Sequence, residues 1–219
     1  MGSVATRSCG THMSRPLLMA LHSSSETFGV AVQDPLLPQE GPRVAVFEDG
    51  RALSNTLIGR VAALLPQERW SDLEGLAVAT GPGGFTGTRL SVVMARTLAQ
   101  QLNCRLIGVS SYALMAARLV EQLPPEQRRS PFWIQRELPR RGWVAGCYLR
   151  VDGSSIEEIR APHLLPSGLR VEPVLAAEED VAADVERLLA LLGQAHSLGT
   201  AAPWQPVLPL YPTSPVGPV

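Results

Sequence analysis

Gly81-Pro82-Gly83-Gly84-Phe85-Thr86-Gly87-Thr88-Arg89 stands between an apolar run, Leu76-Ala77-Val78-Ala79-Thr80, and a periodic segment from Leu90 to Leu102. That order predicts a strand, a tight turn and a helix. Four glycines within seven residues permit close backbone approach, and each can take positive φ. Thr86 or Thr88 is placed to cap the helix. Its first free N–H groups would then face back over the turn, where an anion or a partner's carboxylate could sit. The stretch is not a Walker-type phosphate loop, which ends in Gly-Lys-Ser/Thr, because the chain contains no lysine. It is not the dinucleotide fingerprint either, since the sixth position is Thr86. A ligand-binding turn and a packed strand-to-helix turn beside an interface both remain open.

Upstream, Leu17–Leu21, Phe28–Val32 and Val44–Phe47 read as three strands. His22-Ser23-Ser24-Ser25-Glu26 forms a polar turn after the first, and a proline-rich loop, Asp34–Arg43, precedes the third. Ser54–Leu65 fits a helix with Leu57, Ile58, Val61, Leu64 and Leu65 on one face, ended by Pro66. Downstream of the glycines, Leu90, Val93, Met94 and Leu98 line one side of the helix, and Val92, Ala95, Ala99 and Leu102 another. A helix apolar on two sides is buried between layers or meets a partner. Leu106–Val109 is a further strand, and Ser110-Ser111 caps a helix from about Tyr112 to Leu123. Strands and helices thus alternate around hairpins, which predicts an α/β protein with a mixed sheet.

Pro124-Pro125 marks an internal boundary. Beyond it, Phe132–Ile134, Trp143–Val151 and Ser154–Arg160 read as strands, the last two joined by Asp152-Gly153. Ala176–Leu192 reads as a helix with Glu178, Glu179 and Asp180 in its first turn and Gly193 as its stop. The divisions expected are a leader over 1–12, resembling a cloning scar, a first lobe over 13–123, a smaller second lobe over 124–200, and a proline-rich tail over 201–219.

All nineteen basic residues are arginine, so lysine chemistry is excluded. The net charge of −1 and pI near 6.4 argue against tight nucleic-acid binding by this chain alone. Cys9, Cys104 and Cys147 are odd in number and widely spaced, so neither a disulfide framework nor a zinc site is indicated. No apolar run is long enough to span a membrane and no secretory signal is evident, which makes the cytoplasm the expected compartment. Metal held by protein ligands is not expected. His22 beside Ser23, Ser24 and Ser25 offers a base among hydroxyls, and hence a hydrolase as a rival function, but no Gly-x-Ser-x-Gly elbow exposes a serine. Arg128, Arg129, Arg136, Arg140 and Arg141, interleaved with Trp133 and Trp143, form a candidate patch for RNA or an acidic partner.

The glycine motif, together with Ile107-Gly108-Val109-Ser110-Ser111-Tyr112, resembles the TsaB family (also called YeaZ), most closely its cyanobacterial members. The resemblance is strong from about Leu17 to Leu119. It implies an actin-like ATPase (ASKHA) fold, with two ribonuclease H-like lobes, each a mixed sheet flanked by helices. It also implies a noncatalytic accessory subunit without a catalytic residue or cofactor of its own. In such systems a TsaD subunit carries the metal and transfers threonylcarbamoyl to N6 of adenosine 37 in tRNA, while a TsaE ATPase joins or resets the assembly. By this resemblance Gly81, Gly83, Gly84, Thr86, Gly87 and Arg89 shape the edge of the partner surface. Leu90, Val93, Met94, Arg96 and Thr97 supply the helix contact to TsaD, and a homodimer uses an overlapping surface. Three positions depart from the family: His22 replaces an aspartate, Gly84 replaces a serine, and Leu138–Ala145 lacks the acidic members of the second-lobe motif. A reshaped second lobe is expected. A diverged scaffold unrelated to tRNA is the remaining alternative.

Overall fold

The computed structural model describes residues 15–153 and 155–213. The leader, with Cys9 and His12, and the last six residues of the tail lie outside them. Strands β1 (Leu17–His22), β2 (Phe28–Gln33), β3 (Arg43–Phe47), β4 (Leu73–Ala79) and β5 (Arg105–Val109) form one sheet in the order β3-β2-β1-β4-β5. Hairpins join β1 to β2 and β2 to β3, whereas β1, β4 and β5 run parallel. Mixed pairing in this order is the ribonuclease H-like arrangement.

Side-chain alternation explains why these strands are apolar throughout. Leu17, Met19 and Leu21 of β1 and Leu76 and Val78 of β4 enter a core with helices α1 (Leu53–Leu64) and α2 (Phe85–Leu102). Leu18, Ala20, Ala77 and Ala79 face the other way, against Val185, Leu188, Leu189 and Leu192 of helix α4 (Val181–Ser197). Covering both faces of a sheet demands continuous apolar strands. The α4 side is lined with alanines and glycines, and a Cβ on Gly29 would lie 2.7 Å from Val181 Cγ1, so the helix rides close to the sheet.

Helix α3 (Ser111–Leu119) crosses to the second sheet, its N-terminal N–H from Ala113 donating to Ser110 Oγ at 3.1 Å. Strands β6 (Phe132–Leu138), β7 (Gly142–Asp152), β8 (Ser155–Leu164) and β9 (Val174–Ala176) form that sheet in the order β8-β7-β6-β9. Tyr112, Met115, Ala116 and Leu119 of α3 pack on Phe132, Ile134, Val144 and Tyr148.

Several expectations need correction. The last helix starts five residues later than expected, because Asp180 is its cap and accepts from the Ala183 N–H at 3.0 Å. It runs through Gly193 and ends before Gly199, whose φ of +63° suits a helix stop. Contacts of Leu192 with the sheet and of Arg105 with the Ala195 carbonyl (3.0 Å) hold that last turn. This helix was assigned to the second lobe, yet it packs on the first sheet. Ile58 was placed on the inner face of α1 but is 56% exposed. Helix α3 closes at Leu119, and Val120–Gln122 tightens into a 3-10 turn. Three-residue β9 escaped the sequence pattern.

The tail follows the β5 edge of the first sheet. Leu106 N–H donates to the Ala202 carbonyl (2.9 Å), and Leu210 N–H to the Thr80 carbonyl (2.7 Å). Val207 is buried beside Gly108, where a Cβ would meet its Cγ1 at 2.8 Å. Among the described residues no helix is long and apolar enough to cross a membrane.

Candidate docking face and glycine-rich turn

The glycine-rich turn is built around the turn that follows β1. Gly84 N–H donates to the Ser24 carbonyl at 2.6 Å. A Cβ on Gly83 would stand 1.9 Å from that oxygen, and one on Gly87 would stand 2.8 Å from the Ser23 carbonyl oxygen. Ser23 Oγ and Ser91 Oγ share a hydrogen bond of 2.7 Å. These glycines therefore exist so that residues 23–25 can lie directly on the helix start. Only Gly81 of the four uses positive φ, at +95°. Its carbonyl accepts from Ser111 N–H at 2.8 Å, tying the turn to α3. At Gly84 a Cβ would meet nothing closer than the Ser25 carbonyl oxygen at 3.5 Å, so the serine expected there would also fit.

Neither Thr86 nor Thr88 caps α2. Its cap position is Gly84, without a side-chain bond, and Thr88 turns inward to the Ser23 carbonyl at 3.5 Å. The anion seat imagined over the turn loses one donor to Ser24. The packed-turn alternative is the better description of this geometry.

His22 is fully buried at the end of β1. Its Nε2 lies 3.4 Å from Ser24 Oγ, and its Nδ1 has no partner in the described structure. Burial, helped by the charge of Arg118, lowers its pKa to about 4. A neutral imidazole without solvent contact meets no substrate in this conformation.

On α2, Val92, Ala95 and Ala99 fill the core, with Leu90, Met94 and Leu98 half-buried at its margin. The helix is thus less two-sided than its sequence suggests. Val93, 52% exposed, and Thr97 stand on the outer side. Arg96 does not join them. Its guanidinium donates to the carbonyls of Gln205 (2.9 Å) and Val207 and stacks 5.1 Å from the Trp204 ring, fastening the tail. Two apolar side chains missed in the sequence extend the outer face: Phe85, 41% exposed, and Tyr211, whose ring is 4.8 Å from that of Phe85. Phe85 was legible, because 85, 89, 93 and 97 share a helix face. Nothing in the sequence placed Tyr211 beside it.

The arginine cluster is dispersed. Arg128 and Arg129 precede β6 while Arg140 and Arg141 follow it, about 20 Å along a seven-residue strand. Arg128 binds Glu121 at 2.6 Å, Arg136 binds Glu179 at 2.6 Å, and Arg141 reaches Thr213 Oγ1 at 2.9 Å. Arg140 occupies the hairpin turn with φ of +64°. Trp133 and Trp143 lie on the sheet face opposite α3, and Trp133 makes an edge contact with His163. Arg128 and Arg129 line one hollow with Arg150, and Arg136 and Arg141 line another with Phe85 and Tyr211.

Two sheets with α2, α3 and α4 packed on them, the first in ribonuclease H-like order, define a two-lobed actin-like α/β protein. The same fold appears in YeaZ from Pseudomonas aeruginosa, with TM-score 0.65 at 23% identity over 90% of this chain and 99% of that one. It appears also in an uncharacterized protein with similarity to peptidase YEAZ from the same organism, with TM-score 0.69 at 22% identity over 90% and 100%. The family model described as TsaD, tRNA N6-adenosine threonylcarbamoyltransferase, matches residues 49–133. The tRNA threonylcarbamoyladenosine biosynthesis protein TsaB of Bacillus subtilis is 46% identical over 104 residues, 46% of this chain and 43% of that protein. The match thus spans less than half the length of that relative. The chain is therefore similar to TsaB over part of its length, and over most of its length it shares the fold of YeaZ.

Proposed function

We propose that this chain is a noncatalytic accessory subunit in N6-threonylcarbamoyladenosine formation at tRNA position 37, and that it acts in the cytoplasm by binding a TsaD-like enzyme through the outer face of α2. The observation that carries this is that face: exposed Phe85 and Val93 with half-buried Leu90 and Met94, on a helix seated in the first core. The relation to Bacillus subtilis TsaB supports the same pathway. ATP and metal belong to the partner subunits in this scheme. The absence of lysine, the burial of His22 and the filling of the glycine turn by Ser24 all favour that division. A TsaE-like ATPase and tRNA join the assembly, and self-pairing competes for the same helix.

The test is size-exclusion chromatography with light scattering, mixing the chain with the TsaD-like protein of its own genome. A stable heteromeric complex is expected. Val93→Glu should abolish it while leaving the melting temperature nearly unchanged, since the side chain is exposed and a buried interfacial carboxylate is costly. Retained pairing in that variant rejects α2 as the contact. Loss of a carboxybenzyl-peptide or glycoprotein hydrolysis activity on His22→Ala would instead revive the hydrolase alternative.

A further inference from the structure

Phe85, Arg89, Val93 and Thr97 recur at four-residue intervals, a stripe about 18 Å long on the outer side of α2. Its N-terminal end carries more than the helix. The tail is anchored by Arg96, by buried Val207 and by the Leu210–Thr80 hydrogen bond, and these contacts deliver Tyr211 onto Phe85. Tyr211 is 39% exposed there, and among the described residues Arg89 makes no ion pair. The Tyr211 hydroxyl is raised in pKa by burial, and the charge acting on it in the opposite sense is that of Arg89, so cation and phenol share one corner.

The charge pattern of the face chooses between occupants. Neither α1 nor α2 contains an aspartate or glutamate, and the chain from Ala201 onward has none. Of the loop carboxylates, Asp49 is bound to Arg60 at 2.7 Å. In a two-fold pairing of α2 with its own copy, each surface meets itself. Arg89 then finds only neutral or cationic neighbours on the helices, whereas a different subunit can set a carboxylate against it.

We infer that Tyr211 and Arg89 form the anchoring corner of the α2 docking face, and that this corner selects a partner subunit bearing a carboxylate opposite Arg89 over a second copy of this chain. The inference rests on the α2 docking proposed above and commits to the TsaD-like subunit as occupant. Tyr211 is a specificity determinant that lies outside the matched segment 49–133 and is brought to the face only by the folded tail.

The experiment measures affinity of the full chain for the TsaD-like subunit by biolayer interferometry, and self-association by sedimentation equilibrium. Arg89→Glu is expected to weaken the heteromeric complex about a hundred-fold while leaving self-association unchanged or stronger. Tyr211→Ala should weaken it about ten-fold. Raising NaCl should weaken the wild-type complex more steeply than that of Arg89→Ala. Circular dichroism melts verify folding, and both side chains are exposed enough for substitution. If Val93→Glu abolishes pairing but Arg89→Glu and Tyr211→Ala bind as wild type, the corner is refuted while α2 docking stands. Equal losses of hetero- and self-association in Arg89→Glu also refute the selectivity. If Val93→Glu binds normally, the docking itself is refuted.

Discussion

The two sheets differ in how they are covered. The first has helices on both faces, and its strands β1 and β4 are almost wholly buried. The second has α3 on one face only, and its outer face carries Trp133, Trp143 and His163 with partial exposure. The difference teaches where precision resides. In the first sheet each layer is fixed by a neighbour on either side, so small departures collide with backbone. In the second, the outer positions of β6 and β8 are partly open to solvent and fewer layers constrain them. Leu138–Ala145 lies in that second sheet.

The sharpest way to break this comparison is a methyl group in each half. Gly83→Ala drives a Cβ into the Ser24 backbone, which cannot step aside without moving the β1–β2 turn. A loss of about 3 kcal/mol is expected in urea denaturation. Gly146→Ala in β7 meets the Tyr148 ring, with 2.5 Å to its hydroxyl. Side chains yield more readily than backbone, so this variant should lose less. Equal losses would overturn the contrast.

Protonation probes the first lobe next. His22 has a folded pKa near 4 against about 6.5 in the unfolded chain. Between those values the unfolded state binds more protons, so stability falls as pH drops below about 6.5 and levels off below about 4. From pH 7.5 to pH 5 the expected loss is about 2 kcal/mol. Arg118, itself paired with Asp184 at 3.2 Å, is the charged neighbour that reinforces the effect. Denaturation midpoints for wild type and His22→Asn should differ in their pH slope across that range. Parallel slopes would mean that His22 is not the group responsible.

The smallest effect expected is a gain. Gly193 lies inside α4 with no heavy atom within 4 Å of an added Cβ, and its φ is not positive. Gly193→Ala should stabilise by roughly 1 kcal/mol by helix propensity alone. A loss would show that the last turn of α4 needs glycine for a contact of the tail.

Much of the first lobe was legible in local sequence. The strands, the strand–turn–helix at Gly81 and the Ser110 cap all follow from periodicity and turn chemistry, which act over a few residues. The second lobe was less so. Its long strands carry mixed faces, and β9 is held by pairing with β6 rather than by its own pattern. Helix α4 was found but misassigned, because nothing local says which sheet an apolar helix will cover. The arginines divide into two groups because neighbours along a strand are separated by its length.

The candidate site divides in the same way. Sequence alone determined that α2 follows a glycine turn, that Val93 shares a side with Leu90 and Met94, and that no lysine is available to hold a phosphate. Those are properties of spacing and composition. Only the tertiary structure decided that the glycines make room for Ser23 and Ser24, that His22 is sealed from solvent, that Arg96 clasps the tail, and that Tyr211 lands on Phe85. Each of those joins residues far apart in the chain, and such contacts are settled by the competition of all surfaces for burial rather than by any one segment.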